Sequence, residues 1–87
     1  MYEVIVKKKI LKSIEKMPEN IQKKMVNLVE DLRSKGPIRS EWPNFSKLGK
    51  DNYHCHLANK WIACWFCEKN SNIIEVTYAG SRENAPY

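Results

Sequence analysis

No run of apolar residues in this chain approaches the ~18 that a membrane span needs. The opening "MYEVIVKKKILKSIEKMPEN" turns basic and amphipathic too early for a secretory signal, so a cytoplasmic protein is expected. There is no internal repeat and no low-complexity tract. Cysteine is scarce as a cross-linker: Cys55, Cys64 and Cys67 are an odd number within thirteen residues, a poor framework for stapling a small secreted domain, and they read as reduced thiols. Acidic side chains are outnumbered, ten Asp+Glu against fifteen Lys+Arg, and the net charge of +5 attracts either nucleic acid or an acidic protein. A chain of 87 residues buries about 60 to 65% of its unfolded surface, which supports one core and hence one domain over 1–87.

What is present divides into helical and strand-like halves. "YEVIV" alternates β-branched and aromatic residues and predicts a short strand. Ile10, Leu11, Ile14 and Met17 form the stripe of an amphipathic helix, which Pro18 ends. A second helix is predicted from about Glu19 to Lys35, apolar at Ile21, Met25, Leu28, Val29 and Leu32 and stopped by "KGP". Periodicity vanishes from Ile38 to Asn52, predicting a long loop. Three β-rich runs follow, "YHCHL", "WIACWFCE" and "NIIEVTYAG", joined by "ANK" and "KNSN" as in an antiparallel meander. The expected fold is α+β, in the order β-α-α-β-β-β, with a helix hairpin packed on one face of a small, mainly antiparallel sheet.

Alternation along "NYHCHL" sets Tyr53, Cys55 and Leu57 on one face and His54 with His56 on the other, about 6.5 to 7 Å apart. A two-residue turn at Asn59 and Lys60 would pair Leu57 with Ile62, Cys55 with Cys64 and Tyr53 with Phe66, giving an apolar core face. The same register sets His54 opposite Trp65, with Trp61 nearby, on an open aromatic face. Those indoles await either the C-terminal tail or a partner. "HCH" with Cys64 and Cys67 has zinc-like composition, but a separation of three points the latter two to opposite faces, so no metal is expected.

The element order, "KLGKDNYHCHLANKWIACWF" and the ending "YAGSRENAPY" together resemble the RelE/ParE family of bacterial toxins, over nearly the whole chain. The resemblance implies the toxin of a type II toxin–antitoxin system: an endoribonuclease, or mRNA interferase, that cleaves mRNA on the ribosome and inhibits translation, with a cognate antitoxin and no cofactor. It implies that His54 and His56 occupy strand positions used for proton transfer and phosphate contact. Arg82 then matches a phosphate-binding arginine and Tyr87 a base-contacting or orienting tyrosine. The basic residue that many members place near the start of the next strand falls close to Ile62, with Lys60 nearest in the turn. The chemistry is coherent in its own terms. Metal-independent RNA cleavage needs a base for the ribose 2′-OH, cations for the charged phosphorane and an acid for the leaving 5′-oxygen, and imidazole suits both proton roles. Lys47, Lys50, Lys60 and Arg82 are candidate phosphate ligands, and Trp61, Trp65 and Tyr87 candidate stacking platforms for a splayed base. Two other readings share the fold: a ParE-like gyrase inhibitor acting by protein contact, and a non-catalytic antitoxin-binding module.

Overall fold

The computed structural model describes residues 1–87. In chain order the elements are β1 (Glu3–Ile5), α1 (Lys8–Glu15), α2 (Glu19–Lys35), β2 (Ser46–Gly49), β3 (Asn52–Ala58), β4 (Trp61–Phe66), β5 (Ile73–Ser81) and a short 3-10 turn (Arg82–Asn84). Both helices lie where periodicity puts them. Pro18 cannot donate to continue α1, and its carbonyl instead accepts the amides of Ile21 and Gln22 to start α2. The Gln22 amide then donates to the carbonyls of Met17 and Glu15, satisfying the end of the preceding helix. At the other end of α2, Gly36 adopts φ 93° and ψ −172°, a region essentially reserved for glycine, and a Cβ there would meet the Tyr2 ring at 2.8 Å.

The sheet order is β1-β5-β4-β3-β2, with β1 parallel to β5 and the other pairs antiparallel. Two sequence-based expectations are corrected here. The segment from Ile38 to Asn52 is not loop throughout: "SKLG" forms the edge strand β2 on β3. It escapes pattern reading because it is four residues long and lacks the β-branched alternation of a half-buried strand. The remaining loop is tied down at three points. Arg39 donates to the Gly36 and Lys35 carbonyls and pairs with Glu41, Trp42 Nε1 donates to Asp31, and the Pro43 carbonyl accepts the His56 amide.

The second correction concerns register. Tyr53 pairs with Trp65, His54 with Cys64, Cys55 with Ala63 and His56 with Ile62, and the register shifts between His56 and Ala58. Leu57 is therefore the extra residue of a bulge, and every β4 side chain faces the opposite way from the simple hairpin. Ala63 and Trp65 join Tyr53, Cys55 and Leu57 in the core beneath Met25, Leu28 and Leu32 of α2. Ile62 and Cys64 instead lie on the histidine face, so the expectation that Cys64 faces the core fails.

Candidate functional site

The face of the sheet not covered by helices carries His54, His56, Ile62 and Cys64, joined across β4 and β5 by Tyr78 opposite Cys64 and Gly80 opposite Ile62. The tail after β5 returns over this face. The Tyr87 ring lies 4.7 Å from that of His54, and His56 lies 5.8 Å from His54 in an edge-on arrangement. On the other side, Ser46 Oγ is 2.9 Å from His54 Nδ1, because β2 pairs Ser46 directly with His54. That contact leaves Nε2 as the nitrogen available for chemistry.

This packing leaves His54 only 8% exposed, while Tyr87 remains 55% exposed. Burial lowers the His54 pKa from its ordinary value, the neighbouring His56 lowers it further, and a hydrogen bond with the Ser46 backbone partly opposes them. The neutral, proton-accepting form is thereby favoured. Burial raises the Tyr87 pKa, against the pull of the Arg82 charge. The Cys64 thiol is pushed up to about 11 by burial and Cys55 to about 12, so neither is poised as a nucleophile.

Among the residues singled out from sequence, His54, His56 and Tyr87 converge. Arg82 and Lys60 meet at one end of the face: the Arg82 amide donates to the Lys60 carbonyl at 2.7 Å, and both line a recess with Asn59, Trp61, Ser81 and Glu83. Lys50 is exposed in the turn before β3, at the end of that strand remote from Lys60. Lys47 pairs with Tyr53 and lies over its ring, 5.8 Å from the centroid, on the helix-covered side. It does not reach the imidazoles.

Trp65 is not an open stacking platform. It is fully buried, stacks with Phe45 and Tyr53 at centroid distances of 6.1 and 6.2 Å, and donates from Nε1 to the Pro37 carbonyl. The bulge at Leu57 is the cause. Trp61 turns the same way, packs half-buried against the core and also lines the Arg82 recess.

Ser46 and Tyr78 are the residues that sequence reasoning missed. Tyr78 crosses Gly80, where an added Cβ would come within 2.9 Å of its hydroxyl, and that hydroxyl donates to the Ser81 carbonyl. The only sequence signal for Tyr78 is the "YAG" spacing, and Ser46 has none. No three His, Cys, Asp or Glu side chains converge in a geometry that could hold a metal ion. No helix is long and apolar enough to cross a membrane.

No family model matches the chain, and no curated protein matches its sequence. Solved structures do share its fold. The isolated RelE toxin of E. coli superposes with a TM-score of 0.75 at 14% identity, covering 99% of this chain and 89% of that one. The archaeal RelE–RelB complex from Pyrococcus horikoshii gives a TM-score of 0.74 at 15% identity, covering 97% and 98%. A metal-bound toxin from Helicobacter pylori gives 0.71 at 20% identity, covering 95% and 97%. The α+β fold of this chain is thus RelE-like.

Proposed function

We propose that the chain is the toxin of a type II toxin–antitoxin pair and that it cleaves messenger RNA on its imidazole face, in the cytoplasm and on the ribosome. The observation that carries this reading is the convergence of His54, His56 and Tyr87 on the one sheet face free of helices, in a RelE-like fold. In the proposed reaction, neutral His54 takes the proton of the ribose 2′-OH through Nε2. The 2′-oxygen attacks phosphorus, the bond to the 5′-oxygen breaks, and protonated His56 supplies the proton to that leaving oxygen. The products are a 2′,3′-cyclic phosphate and a 5′-hydroxyl, with no net consumption of protons. Arg82, with Lys60 beside it, offers positive charge for the phosphorane. Tyr87 must leave the His54 ring for substrate to enter, and a base stacked on the displaced phenol would compensate for the lost contact.

A cognate antitoxin is the proposed protein partner, supported by the presence of RelB in the archaeal complex of the same fold. Metal is not part of the proposal. The histidines perform both proton transfers, and His54 Nδ1 is engaged by Ser46.

One observation favours a second reading. Ile62, fully buried beside His56, fills the position from which the resemblance expects a cation. A toxin acting by protein contact on a topoisomerase would need none. A reconstituted translation reaction separates the two: the purified protein is added to a defined message with and without ribosomes. Shortened message with a new 5′-hydroxyl end supports cleavage. Intact message, together with inhibited supercoiling by gyrase, supports the second reading.

A further inference from the structure

The positive charge of the molecule is not centred on the imidazole face. Residues 7–16, "KKKILKSIEK", contain five lysines and one glutamate, a local excess of four within a chain of net charge +5. Ile10 and Ile14 turn α1 onto the core, and α1 packs against β5 on the helix side of the sheet. Lys8, Lys9, Lys12 and Lys16 consequently project away from the sheet, on the side of the molecule opposite His54 and His56, and with Ser13 they line a shallow recess. All four are exposed, and none is paired with a carboxylate; the ion pair in this region, Lys7 with Glu75, involves a fifth lysine. Like charges one turn apart destabilise a helix, so the arrangement is locally unfavourable and uncompensated within the chain.

The composition of this surface discriminates among polyanions. Lysine and serine are depleted in protein–protein interfaces, which are built around apolar and aromatic anchors, and Leu11 is the lone large apolar side chain exposed on α1. A bilayer needs a free apolar helix face, whereas that of α1 is spent on the core. Lysine ammonium and serine hydroxyl groups are, by contrast, the usual ligands of nucleic-acid phosphates. Lys8, Lys12 and Lys16 recur about every 6 Å along the helix, close to the spacing of successive phosphates on one strand.

We infer that the lysine face of α1 is a second RNA-binding surface, separate from the imidazole site, which holds the phosphate backbone of structured RNA without reading its sequence. It acts as an anchor and does not depend on cleavage at the opposite face. A protein gripping RNA on both faces sits between two RNA segments, the message at the imidazoles and structured RNA at α1.

The test is equilibrium binding of a fluorescent 20-base-pair RNA duplex across a salt series. Replacing Lys8, Lys9, Lys12 and Lys16 together by Gln, a residue of similar helix propensity, should weaken binding at least tenfold at moderate salt. It should also reduce the slope of log affinity against log salt by about three to four. The same four positions changed to Arg should restore both, with circular dichroism verifying the fold of each variant. Lys23, Lys24, Lys35 and Lys69 changed to Gln lower the net charge equally and should have a distinctly smaller effect. Equal losses in the two Gln variants would reduce the effect to net charge and overturn the assignment. So would unaltered RNA binding accompanied by lost affinity for polyglutamate, the mark of an acidic protein partner.

Discussion

His54 is held from four sides: Ser46 at Nδ1, His56 edge-on, Tyr87 across its ring and Cys64 as its strand partner. Such an enclosure favours the neutral imidazole and links folding to pH. With a folded pKa below its unfolded value of about 6.5, His54 binds fewer protons in the native than in the unfolded state. Its contribution to stability is therefore intact above that value and is lost as pH falls from about 6.5 through the lowered folded pKa. Urea denaturation between pH 5 and 8 should show the parent weakening at acid pH and His54→Gln losing part of that dependence. Identical pH profiles would mean that the ring is not enclosed in solution. Trp65 makes the contrasting residue-scale case. Trp65→Ala should cost about 3 to 5 kcal/mol by emptying the core. Trp65→Phe keeps most of the ring stack but loses the Pro37 hydrogen bond; it should lower the melting temperature and leave the rate per folded molecule unchanged. A large rate loss in folded Trp65→Phe would return this indole to the site.

Among the elements, the tail after β5 has the clearest consequence. Pro86 and Tyr87 border a recess that also contains Cys64, Leu48, Asn52 and Thr77, so the tail lies beside the thiol as well as against His54. Tyr87→Ala should accelerate alkylation of Cys64 severalfold at pH 8, with Cys55 still protected in the core. Unchanged labelling of Cys64 would show that the tail does not cover it. The legibility of the elements follows the strength of their local signals. Both helices are readable because Pro18, the Gly36-Pro37 stop and two apolar stripes agree. The orientation of β4 is not, because "WIACWFC" is apolar at nearly every position and either register buries an apolar set. One bulged residue, Leu57, decides which. The imidazole pair was readable by alternation alone, whereas its enclosure depends on β2 and the tail, whose contacts are long-range.

The whole molecule is a sheet with two unlike surfaces: imidazoles and tyrosines on the open side, and on the other a helix layer, residues 7–35, in which nine Lys+Arg face four Asp+Glu, an excess equal to the net charge of +5. The proposed antitoxin has a choice between them. Occlusion of the imidazole face should protect amides of residues 54–64 and 80–87 from hydrogen exchange in the complex. Protection confined to residues 7–35 would place the antitoxin on the helices and leave the imidazoles open. The division also explains why total charge could not locate the site: the sequence places +5 on the chain without assigning it to a face.

The central claim is that His54 and His56 cut messenger RNA. Its most direct test is to induce the parent and the His54→Gln/His56→Gln double variant at equal soluble levels and map RNA 5′ ends by primer extension. New 5′-hydroxyl ends within translated messages should appear with the parent and be reduced at least a hundredfold in the variant. Equal cutting by both proteins, or growth arrest by the parent with no new RNA ends, would contradict it.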